Sequence, residues 1–142
     1  MVMWHVYKRK EKVFIPTVAK TTAGFFVDVE PVAVHDKDAS QEIIDSIVAT
    51  VLRGNPIIDT PSRMSFPKPV VLSYANVKSW STFEKGALCW KILRIESSFQ
   101  LQSLRKGVSG GWEDDPGMLR SFCGDNAILE LASYLVELVQ AA

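Results

Sequence analysis

The sequence predicts an α+β domain: a mainly antiparallel sheet of about 5–7 strands with two principal helices, at residues 39–53 and 126–140. Three observations predict it. Apolar residues recur at offsets of three and four in two widely separated stretches. Short runs of aromatic and β-branched residues, broken by polar turns at hairpin spacing, fill the rest. No internal repeat, low-complexity tract or composition shift marks a second domain, so residues 1–142 read as one domain.

Taken in order, Met1–Tyr7 reads as a strand, Lys8-Arg9-Lys10-Glu11-Lys12 as a charged turn, and Val13–Ala19 as a second strand. Such a charge run is a solvated hairpin tip, or else a basic contact for an acidic or phosphate partner. A third strand covers Phe25–Val34. There Phe25, Val27 and Val29 alternate with Phe26, Asp28 and Glu30, giving one apolar face and one face that ends acidic. Pro31 suits an edge strand or a bulge.

Asp38-Ala39-Ser40-Gln41 reads as a capping box, opening a helix that runs to about Arg53. Ile43, Ile44, Ile47, Val48, Val51 and Leu52 form its apolar stripe, and Gly54 followed by Pro56 ends it. Asn55–Pro69 is a long loop. Pro61, Pro67 and Pro69 hold it extended, because each fixes φ and removes an N–H donor. Val70–Val77 then reads as a buried strand, and Lys78–Phe83 as a turn or short strand around Trp80, whose ring is assigned to the core. Ala87–Glu96 and Ser98–Leu104 form an antiparallel pair turning at Ser97-Ser98. Lys106–Gly117 lacks regular pattern, and its glycines and Pro116 exclude a stable helix. The last helix starts with Asp125 or Asn126 as N-cap and is apolar over more than half its circumference.

Hydrophobic residues make up 47% and charged residues 23%, a globular composition. Basic and acidic residues balance at 16 each, so the basic excess expected of a direct nucleic-acid binder is missing. No apolar run approaches the roughly 18–20 residues that cross a bilayer. The N-terminal charges follow the apolar part, the reverse of a secretory signal. The expectation is a cytoplasmic protein with no membrane contact and with Cys89 and Cys123 reduced.

Few residues point to chemistry. Cys89 lies in an apolar strand, whereas Cys123, at the start of the last helix, is the better candidate for a reactive thiol. His5 and His35 are the only imidazoles, and no spacing ties either to a thiol. His35-Asp36-Lys37-Asp38 and Glu113-Asp114-Asp115 lack the further ligands of a zinc or calcium site, so no metal or cofactor is expected. Binding chemistry stands out instead. Trp112 beside Glu113, Asp114 and Asp115 joins a large anchor to clustered negative charge. Asp28, Glu30 and Asp36 would extend that surface if folding gathers them; the alternative leaves Trp112 plugging the core edge and the acids in water.

Thr60-Pro61-Ser62-Arg63, Phe66-Pro67-Lys68-Pro69-Val70-Val71-Leu72, Tyr74–Ala87 and Gly111-Trp112-Glu113-Asp114-Asp115-Pro116 together resemble the CdiI class of immunity proteins from bacterial contact-dependent growth inhibition systems. The resemblance covers roughly Thr60 to Pro116. It implies a non-enzyme that binds, one to one, the C-terminal toxin region of its cognate CdiA effector. Such toxins are often nucleases, whose basic sites acidic and aromatic groups would occlude. Trp112, Glu113, Asp114, Asp115, Asp28, Glu30 and Asp36 fit that role. Two other classes remain open to the residues: a small enzyme using Cys123 or the carboxylates, and an adaptor presenting Trp80 and Trp112.

Overall fold

A computed structural model describes residues 2–142. Its strands are β1 (Val2–Arg9), β2 (Lys12–Thr21), β3 (Phe26–Asp36), β4 (Ile57–Ile58), β5 (Ala87–Ile95), β6 (Ser98–Lys106) and β7 (Trp112–Phe122). They form one sheet in the order β3-β2-β1-β5-β6-β7, antiparallel throughout except that short β4 pairs parallel with β2. The helices are α1 (Ser40–Arg53), α2 (Val71–Tyr74), α3 (Trp80–Lys85) and α4 (Ala127–Ala141). The expected α+β class holds, and both principal helices fall within one residue of expectation.

Strand alternation splits β1 into two sets, and the two faces of the sheet take different covers. Trp4 and Val6 join Val13, Ile15, Trp90, Ile92, Leu101 and Phe122 on the face packed by α1 and α4. The stripes Ile43/Ile47/Val51 and Leu131/Leu135/Val139 supply the facing side. Each of these fully buried aliphatic chains contributes about 1.5–3 kcal/mol of transfer free energy. Trp4 Nε1 also donates to the Gly54 carbonyl at 3.3 Å, tying the end of α1 to β1. Gly54 has φ 71°, the left-handed turn that lets the chain leave α1 at that point.

On the opposite face, Tyr7, Phe14, Ala87 and Cys89 pack under Val71, Leu72 and Phe83. The segment from the prolines to α3 is therefore a strap across the second face.

Several local expectations change here. Val70–Val77 is no strand: Val71–Tyr74 makes a short helix, which places Val71 and Leu72 side by side on the sheet where a strand would point them apart. Lys78–Phe83 gives way to helix α3, capped by Ser79, whose side chain accepts from the Thr82 N–H. Trp112–Gly117 is strand, because β6 offers a ladder edge, while Gly107–Gly111 stays a turn; the register shifts between Gln102 and Leu104 and so accommodates Pro116-Gly117. The Asp38 capping box does not form. The Gln41 side chain turns to Asp45, and the start of α1 is held instead by Gln140 of α4, which donates to Lys37 O and Ser40 Oγ. Asn126 is the N-cap residue of α4, without a side-chain cap bond. Lys8, Arg9 and Lys12 belong to strands, leaving Lys10 and Glu11 as the tip. Pro31 does lie on an edge strand, with a register shift at Pro16/Thr17 on its neighbour. The part of the first-strand expectation that falls on Met1 lies outside the described residues.

Candidate functional site

The strap leaves part of the second face uncovered, and a row of polar and charged side chains crosses it. His5 on β1 and Lys91 on β5 are register partners, so they stand side by side. Outward from them, His5 Nδ1 lies 2.9 Å from Asp28 Oδ1 on β3, and Lys91 Nζ lies 2.9 Å from Asp114 Oδ1 on β7. Asp28 and His5 are the more enclosed pair, with side chains 12% and 20% exposed, whereas Asp114 is 60% exposed. An ionised carboxylate only accepts, so the His5 tautomer that suits Asp28 carries its hydrogen on Nδ1 and turns Nε2 away.

Tyr7 fastens this row to an aromatic wall. Its hydroxyl donates to Asp28 Oδ2 at 2.6 Å, and burial first, then the Asp28 charge, holds that hydroxyl well above the ordinary phenol range. Around the Tyr7 ring stand Phe83 at 5.5 Å, Trp112 at 5.8 Å and Trp80 at 6.1 Å between centroids. Trp80 and Trp112 meet edge to face at 5.5 Å, and Lys106 Nζ lies 5.2 Å from the Trp112 ring centre. Both tryptophans are half-buried, so each gives one side to the protein and the other to solvent. The core assignment of Trp80 is thus half met.

Beside the row opens a cleft of about 330 Å³ between His5, Asp28 and Trp80 and the Phe66–Pro69 segment. Phe66 stacks on Phe25 at 6.4 Å, which holds the rim of the strap against the third strand. Fixed φ at Pro67 and Pro69 keeps the cleft wall preformed. Its walls are mostly apolar, with the Asp28–His5 pair and Lys68 as polar groups. That combination suits an inserted side chain with an apolar arm and a polar end.

Trp112, Asp114 and Asp28 are therefore brought together through Tyr7, His5 and Lys91. Glu113 pairs with Arg105 at 2.8 Å, and Asp115 lies 4.0 Å from the same guanidinium. Glu30 accepts from the Tyr74 hydroxyl, and Asp36 pairs with Lys12 at 2.6 Å. The seven predicted residues thus do not make one bare anionic patch, since every carboxylate among them lies beside a basic side chain or a hydroxyl, Glu113 and Asp115 sharing Arg105. The expected acidic face of β3 is likewise not simply solvated, because Asp28 reaches inward over β2. His5, Tyr7 and Lys91 were not singled out as site residues. The available signal was strand alternation: in Trp4-His5-Val6-Tyr7, the two polar rings share the face opposite the apolar pair.

Cys89 is buried, and burial pushes its thiol well above the ordinary cysteine range, with Asp28 adding to the effect. Cys123 is exposed, while His5 is engaged by Asp28 and His35 by Ser46 Oγ at 2.6 Å. Among the described residues no group of three or more His, Cys, Asp or Glu could hold a metal ion. Among them, too, no helix is long and apolar enough to cross a membrane.

No known family profile matches this sequence, and no curated protein matches it. Solved structures do match the fold. A protein of unknown function from Neisseria meningitidis superposes with a TM-score of 0.70 at 10% identity, over 99% of this chain and 93% of that one. A chain of the CdiA-CT/CdiI toxin and immunity complex from Yersinia pseudotuberculosis superposes with a TM-score of 0.63, also at 10% identity, over 97% of this chain and 96% of that one. The likeness is one of fold, from end to end.

Proposed function

We propose that this chain is an immunity protein that binds and neutralises the C-terminal toxin domain of a contact-dependent growth inhibition effector, a CdiA-CT-type domain. The observation that carries the reading is the end-to-end fold likeness to a chain of the Yersinia pseudotuberculosis toxin and immunity complex. Independent support comes from the resemblance over Thr60–Pro116. Those residues build the strap, β5, β6 and the Trp112 end of β7, and so frame the candidate site.

In this reading the protein acts in the cytoplasm as a binder rather than an enzyme, one to one with its toxin. The contact surface is centred on Trp112, Asp114 and Asp28 and extends to Glu113, Asp115, Glu30 and Asp36. Preformed aromatic walls lower the entropy cost of docking. Because each acid already has a local partner, shape and exchange of ion pairs supply the specificity, not bulk negative charge. A nuclease toxin fits best, since its basic cleft would draw Asp114 and Glu113 away from Lys91 and Arg105.

The test is co-expression with the toxin domain encoded immediately upstream, scored by cell survival and by co-elution on a sizing column. Survival with a stable equimolar complex is expected. Unrelieved toxicity with no complex would remove the proposal.

A further inference from the structure

At the opposite end of the strapped face from the Asp28 cleft lies a second cavity, of about 370 Å³. It sits where the β1–β2 hairpin meets the residues that follow α2. Phe14, Val34 and Val77 wall it, and three cations, Arg9, Lys10 and Lys12, line its hairpin side. Asp36 neutralises Lys12. Among the described residues Arg9 and Lys10 have no carboxylate within ion-pair distance, which leaves two uncompensated positive charges.

Arg9 is held in an unusual way. Its Nε is buried and has no hydrogen-bond partner among the described residues. The side chain lies against Gly86: a Cβ added there would meet Arg9 Nε at 3.3 Å, and Cγ and Cζ at 3.7 Å. Gly86 has φ −100°, which any residue adopts, so the close approach of Arg9, not backbone freedom, is what the missing Cβ permits. Burying a guanidinium nitrogen without a partner is unfavourable. What it gains is position: the stem is pinned against Gly86, and Arg9 is held among the residues that line the cavity. A pinned guanidinium loses little further entropy on forming paired bonds to an oxyanion. The αL conformation of Lys10, with φ 56°, sets the second cation at the hairpin tip beside it.

We propose that this cavity is a phosphate-binding site, in which the Arg9 fork and Lys10 hold a dianionic phosphate group above the Phe14–Val34–Val77 wall. A phosphate monoester matches two free positive charges, where a carboxylate would match one. Through Lys12–Asp36 and Tyr74–Glu30 the site adjoins the outer edge of the proposed toxin-binding surface, but phosphate binding is read on the chain alone and does not depend on that function.

The test is an amide-proton NMR titration of the full chain with inorganic phosphate at constant ionic strength, following the Arg9 Nε–H signal. A saturable shift of that signal and of the Lys10, Asn76 and Val77 amides is expected, with acetate binding at least about tenfold more weakly. Arg9→Lys keeps the charge but loses the fork, and Gly86→Ala keeps the charge but displaces the guanidinium. Each should weaken phosphate by about tenfold or more. Uridine 5′-monophosphate distinguishes the source: markedly tighter binding than phosphate assigns the walls to a nucleoside, and equal binding assigns the site to phosphate itself. Shifts that never saturate, acetate equal to phosphate, or both variants within twofold of the parent would each overturn the proposal.

Discussion

The Tyr7 hydroxyl, on β1, donates to Asp28, on β3, across the strand that lies between them. The bridge stands just where direct pairing gives out. β1 and β2 are in register only from Tyr7–Arg9 against Lys12–Phe14, and beyond that point the two strands separate. His5, one pleat further along the same face, takes the other oxygen of Asp28. Two β1 side chains thus hold one β3 carboxylate, closing the sheet over a gap that backbone hydrogen bonds do not span.

Alkaline stability should report this arrangement. Burial and Asp28 raise both the Tyr7 hydroxyl and the Cys89 thiol above their ordinary values. The folded protein therefore holds protons that the unfolded chain releases, so their contribution is complete at neutral pH and lost as pH rises. Loss begins near pH 9, the ordinary thiol range, and steepens above about pH 10, where free phenols titrate. Each group adds a slope of about 1.4 kcal/mol per pH unit. Tyr7→Phe should cost about 1–2 kcal/mol at neutral pH through the lost bond, and flatten the curve above pH 10. Cys89→Ala should flatten the thiol portion. Urea denaturation from pH 7 to 11 measures both, and identical alkaline slopes in parent and double variant would refute the account.

A second closure of the same gap is Asn55. Its Nδ2 donates to Met3 O and Val18 O, both at 2.9 Å, and its Oδ1 accepts the Met3 N–H at 3.2 Å. One amide side chain stitches β1 to β2 where they have parted. Asn55→Ala should therefore cost about 1–3 kcal/mol. Asn55→Asp, which keeps the acceptor but sets a carboxylate against two carbonyls, should cost at least as much. A change in the urea midpoint worth less than about 0.5 kcal/mol for both would show that water replaces the stitch.

Features set by local periodicity were legible in the sequence, and features set by tertiary demand were not. The stripe Ile43–Val51 and the apolar face of Ala127–Ala141 specify helices whatever surrounds them. The Ala87–Ile95 and Ser98–Lys106 pair needs only a local turn, which Glu96 supplies at φ 57°. Val70-Val71-Leu72 read as strand because β-branched residues favour it, yet the second sheet face needed Val71 and Leu72 on one side. Glu113-Asp114-Asp115-Pro116 read as loop, and became strand because Leu104–Lys106 presents an open ladder. At the candidate site, Trp112 and the acids were visible as types. Their neutralisation by Lys91 and Arg105 was not, because those partners come from β5 and β6 and only sheet order reveals them.

Charge reversal separates binding from folding. Glu113, Asp114 and Asp115 are substantially exposed and paired at the surface, where such contacts contribute about 0–1 kcal/mol each. Glu113→Lys/Asp114→Lys/Asp115→Lys should keep a parent-like denaturation curve within about 2 kcal/mol. It should nonetheless weaken binding to a basic toxin domain by about a hundredfold or more, with the larger part in the association rate at low salt. Titration calorimetry and stopped-flow binding measure the two. Unchanged affinity would move the contact surface elsewhere on the molecule.

Trp112 needs a subtler variant, because it serves the fold as well. Its ring packs on Tyr7 and Trp80 and lies beneath Lys106, while its half-buried position leaves one side free. Trp112→Ala would unpack that wall and cost about 2–3 kcal/mol of stability, so lost protection in that variant would be ambiguous. Trp112→Phe keeps an aromatic ring against Tyr7 and should cost only about 1 kcal/mol. It does remove the indole that would enter a partner, where a buried Trp anchor is commonly worth about 2 kcal/mol or more. A thirtyfold or larger loss of toxin affinity in Trp112→Phe, with folding intact by denaturation, would establish Trp112 as a contact. Parent-like affinity would assign the indole to the aromatic wall alone and leave Asp114 and the Asp28 cleft to carry recognition.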